Sequence, residues 1–191
     1  MLNNFYALVF RQKYIKRWGL MHNLREETTA QHSSEVAILT HALASIGNLI
    51  FGKDYDIDRA TTLALFHDVP EVYTGDLPTP VKYYNDDIRL HYGIIEDIAA
   101  ERLLSKLPEE LRDSYRKIMC FDKNSPEGRL VKTADRLCAL IKCIEEEKGG
   151  NSEFLNAKKS ILESFKSYSG EELDYFMENI LPGFELTLDE L

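Results

Sequence analysis

The chain has 191 residues, with 23 Lys and Arg against 32 Asp and Glu, giving a formal net charge of −9 and a pI near 5.1. A chain of this length buries roughly 70 % of the surface its unfolded form exposes, so its core needs neither disulfides nor a structural metal, and a bound metal would point to function. The acidity argues against affinity for nucleic-acid polymers or membrane surfaces, both polyanions, but leaves room for a small phosphorylated ligand held by a few local cations.

The longest N-terminal apolar run, Phe5 to Phe10, is interrupted by Tyr6 and stopped by Arg11, too short for a secretion signal or a membrane span. Cys120, Cys138 and Cys143 are odd in number and lack Cys-x-x-Cys spacing, which fits a reducing cytoplasm better than a disulfide framework or a thiolate zinc site. Without linker, repeat or low-complexity tract, residues 1–191 read as a single domain.

Thr28-x-x-Gln31 is a capping box, and Val36, Leu39, Leu43, Ile46 and Ile50 follow at spacings of three and four, so an amphipathic helix is expected over residues 28–48. Asp56 caps a second helix through Ala60, Leu63 and Ala64 to about Val69, where Pro70 ends or kinks it. Gly75 to Pro80 is expected as a loop. A long helix from Tyr84 to about Lys106 carries Ile88, Ile94 or Ile95, Ile98, Leu103 and Leu104, and Pro108 at N1 opens the next, to about Phe121. Ser125-Pro126-Glu127 supplies N-cap, N1 and first-turn acid for a helix ending at Gly149-Gly150, and two shorter helices follow over about 152–167 and 170–180. No segment alternates with period two, so the fold is all-α, with seven or more helices.

Four ionisable residues occupy phases that belong to the core. His32 is in register with Val36 and Leu39, whereas His41, nine residues on and about 180° around, faces water. His67 continues the series Ala60, Leu63, Ala64; Asp68 lies four after Ala64; Asp135 lies four after Val131. Any one alone is ordinarily a hydrogen-bonded core residue or a paired acid. Two imidazoles and two carboxylates from three helices instead form a mixed N/O set suited to a divalent transition ion, with positions left for water and a phosphate oxygen. Glu71, four after His67, has two readings: an acid/base group on the metal-facing side, or a first-turn acid of a new helix after Pro70.

A lone His32, the doublet His67-Asp68 and a distant Asp135 form the pattern of the HD-domain metal-dependent phosphohydrolases. Arg17-Trp18, the run from Thr29 to Ser33, Phe66-His-Asp-Val-Pro-Glu71 and the run from Thr74 to Lys82 resemble the 5′-deoxynucleotidases of that superfamily, a likeness that continues through residues 108–112 and 142–147 to the terminal Leu-Thr-Leu-Asp-Glu. The resemblance implies a single HD-type helical fold, a homodimer, and hydrolysis of 2′-deoxynucleoside 5′-monophosphates with one divalent ion such as cobalt or manganese. It implies His32, His67, Asp68 and Asp135 as metal ligands, with His32, Asp68 and Asp135 also lining the substrate. Glu71 and Arg17 would be catalytic, Arg17 and Trp18 would bind phosphate and sugar, and Asp76 and Thr79 would contact the sugar.

Chemically, Arg17 offers a planar fork matching two phosphate oxygens, and Trp18, the only tryptophan, an apolar wall against C2′ of the sugar. From the residues alone, Arg17 also reads as an exposed helix charge and Trp18 as core packing. Rival readings are a phosphohydrolase of deoxynucleoside triphosphates or cyclic nucleotides, or a non-catalytic nucleotide sensor. Histidines only at 22, 32, 41, 67 and 91 undersupply a dinuclear phosphodiesterase site, and Lys82 and Lys132 alone make a thin triphosphate cradle.

Overall fold

The caps set the long helices. The structure, a computed structural model, describes residues 3–82, 84–166 and 170–190. In it α2 (Thr29–Phe51) starts at the Thr28/Gln31 capping box and stops at Gly52, whose φ of 65° is the left-handed conformation that glycine adopts without strain. Asp56 caps α3 (Ile57–Phe66) through the Arg59 amide at 2.9 Å, and Ser125, followed by Pro126 at N1, caps α8 (Pro126–Lys148) through the Gly128 amide at 3.0 Å.

These three helices pack on one another, burying Val36, Leu43, Leu63, Ala64, Val131, Leu137 and Leu140 between them. Each fully buried Leu or Val contributes roughly 1.5–3 kcal/mol of transfer free energy, so this trio is the frame on which the polar residues are mounted. By length and a mean hydropathy of 1.4, α2 could cross a bilayer, but α3, α8 and α10 (Glu171–Asn179) cover it and Thr29, His32, Ser33 and Thr40 are buried along it. A second cluster, of Phe5, Val69, Ala100, Leu103, Leu104, Leu107 and Met119, joins α1 (Phe5–Val9), α6 (Asp86–Leu104) and α7 (Glu109–Met119). The remaining helices are α4 (Glu71–Thr74), α5 (Thr79–Lys82) and α9 (Leu155–Phe165); 3₁₀ segments follow at Phe10–Tyr14, Ser152–Phe154 and Leu181–Glu185. The described residues are all-α, with an isolated antiparallel bridge between Lys16 and Thr28.

Several expected boundaries are corrected. The second helix ends at Phe66, not Val69: the Pro70 ring opposes the carbonyl four residues back, which is that of Phe66. Residues 67–70 form turns, and Glu71 opens the new short helix α4. Part of the expected Gly75–Pro80 loop is helical, because Pro80 sits in the first turn of α5, where its missing N–H costs nothing, and the Pro78 carbonyl accepts from the amides of Val81 and Lys82 at 2.8 and 3.0 Å. Pro108 is the N-cap of α7, its ψ of 144° being non-helical, rather than N1. The region expected as one helix over 152–167 begins as a 3₁₀ turn, and position 167 lies outside the described residues. On α6, Tyr92, Ala99, Ala100, Leu103 and Leu104 are buried, while Ile88, Ile94, Ile95 and Ile98 are exposed, as is Ile50 at the end of α2.

Candidate active site

Three elements converge on one spot. His32, one turn into α2, is fully buried; its Nε2 lies 3.0 Å from Asp135 Oδ1 of α8 and 3.7 Å from Asp68 Oδ2. His67 caps α3 and its Nδ1 donates to the Ala64 carbonyl at 2.6 Å, which leaves Nε2 facing Asp68 Oδ2 at 3.1 Å. Donor atoms of His32, His67 and Asp135 all fall within 4.8 Å of one another. His41 is exposed, as its phase requires.

This donor set fits a cation. With the proton fixed on Nδ1, a neutral His67 turns a lone pair toward a carboxylate, and its buried Nε2 has no hydrogen-bond partner. Only a proton or a metal ion at Nε2 makes that arrangement favourable. In the metal-free protein the proton serves: burial opposes a charged His67, but Asp68, Asp135 and the Ala64 carbonyl outweigh it and push the imidazole up to about 9. Burial likewise opposes ionised Asp68 and Asp135, yet His67 and His32 hold both carboxyls below their ordinary range, Asp135 at about 2.

Glu71 interacts electrostatically with Asp68 and His67 of this set. It is buried, accepts a hydrogen bond from Thr29 Oγ1 at 3.2 Å, and is raised to about 9 by burial, reinforced by the charges of Asp68 and Asp76. Of the two sequence readings, the structure shows the first-turn acid, since Glu71 opens α4, and it leaves the carboxyl buried.

Arg17 and Trp18 reach the cluster from the segment between the first 3₁₀ turn and α2. The Arg17 amide donates to the Glu27 carbonyl at 3.0 Å and the Thr29 amide to Ile15 at 2.9 Å, so residues 15–17 run antiparallel to 27–29. Arg17 is not an exposed helix charge: its side chain is 13 % exposed, with Nε 3.0 Å from Glu27, Nη1 3.4 Å from Asp68 and 4.0 Å from Asp76. Burial disfavours its charge, but Asp68, Asp135, Glu27 and Asp76 together overcome this and hold the guanidinium protonated. Trp18 sits at φ 59°, unusual for a bulky residue, its ring 5.2 Å from that of Phe154 and its Nε1 donating to Glu27 at 2.9 Å. Backbone strain of this kind collects at functional positions.

Gly75, at φ 71°, turns the chain out of α4 and presents Asp76, whose carboxyl burial raises and Arg17 lowers, with a net upward shift. A side chain at position 75 would be strained there, and Asp76 would move with it. Thr79 is exposed at the start of α5. Glu27, which precedes the helix cap and so has no helical phase, has no sequence signal of the kind used above; Thr29 opens the Thr29–Ser33 run, which did not show that its hydroxyl serves Glu71.

The proton uptake has a measurable consequence. His67 and Glu71 hold protons more tightly folded than unfolded, so their stabilisation is complete below about 6.5 and 4.3 respectively and lost as pH rises through about 9. Thermal denaturation in chelator is therefore expected to give a Tm on the order of 5 °C lower at pH 9.5 than at pH 6. A Tm that stays level or rises over that interval contradicts the assignment.

The sequence model of the YfbR-like 5′-deoxynucleotidases matches residues 4–184. The chain belongs to that family. It is 47 % identical to a 5′-deoxynucleotidase of Enterobacter sp. (strain 638) over 190 residues, 99 % of this chain and 96 % of the relative. To the 5′-deoxynucleotidase YfbR of Escherichia coli K12 it is 46 % identical with the same coverage. An HD-domain phosphohydrolase from Listeria innocua superposes with a TM-score of 0.85 at 23 % identity, covering 95 % of this chain and 88 % of that one. A cyanophage S-2L HD phosphohydrolase, solved with dA and one catalytic Zn²⁺, gives 0.66 at 21 % identity, covering 95 % and 96 %. Both establish the helical HD fold.

Proposed function

We propose that this chain is a metal-dependent 5′-deoxynucleotidase that hydrolyses 2′-deoxynucleoside 5′-monophosphates to deoxynucleoside and phosphate. The observation that carries the reading is Arg17, a buried and permanently charged guanidinium set against Asp68 at the edge of a His/Asp donor cluster. One divalent ion, cobalt, manganese or a similar one, held by His32, His67, Asp68 and Asp135, would supply Lewis acidity that lowers the pKa of water and neutralises phosphate charge. Arg17 would clamp two phosphate oxygens and hold phosphorus in line for attack. Glu71, whose carboxyl keeps its proton near neutrality, would give it to the 5′ oxygen as the P–O bond breaks.

Asp76, as hydroxyl acceptor, would fix the 3′-OH, with Thr79 as a further sugar contact. Trp18 would bar a 2′-hydroxyl sterically. A merely apolar pocket rejects one extra hydroxyl by only ~10²-fold, so the wall needs Asp76 to stop the sugar shifting away. Trp18→Ala is expected to narrow the dAMP to AMP ratio of kcat/KM by about tenfold; an unchanged ratio would sink the steric account. For the function itself, the test is a panel of dAMP, AMP, dATP and a cyclic nucleotide. Phosphate release confined to the deoxymonophosphate supports it, and release from the triphosphate or ring opening in its place overturns it.

The same reading takes the chain as a single domain over residues 1–191, a cytoplasmic protein and a homodimer. Cys120, Cys138 and Cys143 are free thiols, which suits a reducing compartment. A second copy suits the outer face of α6: Leu90, Ile94 and Ile98 are exposed, and Gly93 has open space where a crossing helix fits. Arg89 and Asp97, four residues either side of Gly93, would meet their opposite numbers in an antiparallel two-fold pairing.

A further inference from the structure

Glu27 is the residue on which three separate parts of the site meet. Its carboxylate is 8 % exposed as a residue, Oε1 lying 3.0 Å from Arg17 Nε and 3.2 Å from His32 Nδ1 while Oε2 accepts from Trp18 Nε1 at 2.9 Å. Both oxygens are therefore committed to site residues. Burying a carboxylate is costly unless its charge and lone pairs are met, and here the guanidinium and the imidazole lie at ion-pair distance from Oε1 while the indole N–H donates to Oε2.

Each contact fixes something the backbone leaves free. A carboxylate behind His32 Nδ1 selects the tautomer that keeps the proton there and turns the Nε2 lone pair toward Asp68 and Asp135. The contact with Arg17 Nε leaves Nη1 directed at Asp68 and Asp76. For Trp18, strained at φ 59°, the indole plane is set by the Nε1 bond and the Phe154 ring rather than by a preferred backbone geometry. The Glu27 carbonyl, accepting from the Arg17 amide at 3.0 Å, keeps the two residues opposite one another.

We infer that Glu27 is a positioning residue that couples the Arg17–Trp18 pair to His32, so that metal affinity and sugar and phosphate contact depend on one buried carboxylate. The inference rests on the proposed function for the meaning of those contacts, but its metal half stands by itself. A glutamine of the same shape cannot replace it: its amide presents one acceptor and one donor group to three surrounding N–H donors, leaving at least one facing another donor.

The test is a calorimetric titration of metal-stripped protein with manganese ion alone, beside KM and kcat for dAMP. E27Q is expected to weaken manganese binding by ~10–100-fold, the range for removing a partner behind a ligating histidine, and to raise KM for dAMP at saturating manganese. Manganese affinity and KM both at wild-type values would overturn the inference and leave Glu27 a merely structural acid. Should E27Q not fold, Trp18→Phe decides in the same titration, because it deletes the Nε1 donor to Glu27 while keeping an aromatic ring beside Phe154. A severalfold loss of manganese affinity from a residue that is no ligand supports the coupling; an unchanged affinity overturns it. A wild-type chain that binds manganese yet hydrolyses no nucleotide fails the proposed function, while the E27Q shift in manganese affinity is read independently.

Discussion

Glu71→Ala is expected to lower kcat for dAMP by ~10²–10⁴ while the protein keeps its bound metal. The carboxyl is buried and tethered by Thr29 Oγ1 at 3.2 Å, and in the proposed assignment it is the proton donor and not one of the four ligands, so its removal is expected to leave the ligand set whole. Without a metal, burial and the nearby Asp68 and Asp76 charges push its carboxyl up to about 9, and a protonated carboxyl is the state required to deliver a proton to a departing alkoxide. Steady-state kinetics together with metal content by mass spectrometry decide the matter. Loss of metal in the variant would make Glu71 a ligand instead.

Asp135→Ala is expected to act in the opposite order, on the metal first and on turnover as a consequence. Its Oδ1 lies 3.0 Å from His32 Nε2, and it is one of two anionic donors in the cluster. Without it the set retains two imidazoles and Asp68, whose charge already serves His67 at 3.1 Å and Arg17 at 3.4 Å. Metal affinity should fall by more than the ~10–100-fold typical of residues behind the ligands. Dialysed variant protein should contain no bound ion and show background phosphate release; wild-type metal content would remove Asp135 from the ligand set.

The parts of the molecule legible in the sequence are those governed by local rules. Thr28 with Gln31, Asp56, and Ser125 with Pro126 mark helix starts because capping is settled within four residues, and all three act as caps in the structure. Helical phase correctly turned His32 inward and His41 outward. For His67 and Asp68 the phase argument reached a right placement by an inexact route, since the helix ends at Phe66 and the turn of residues 67–70 carries them. Phase also overstates burial at Asp135, whose side chain is 42 % exposed, because it reports direction and not what lies above.

Glu27 and the pairing of residues 15–17 with 27–29 were not legible, because that contact joins irregular segments across a loop without periodicity. The isoleucines of α6 were misread for a related reason. An apolar pattern says that a surface avoids water, but not whether this chain or another one covers it. Thr79, named by resemblance, opens α5, a short helix that the Gly75–Pro80 stretch did not signal.

The central claim is that a metal held by His32, His67, Asp68 and Asp135 makes an acidic protein hydrolyse a phosphate monoester. Phosphate release from dAMP should be measured with chelator-stripped protein during stepwise return of manganese or cobalt. The account predicts background release from the stripped protein and a rise that saturates near one ion per chain. Full activity in the stripped protein, or none after either ion is restored, would contradict it.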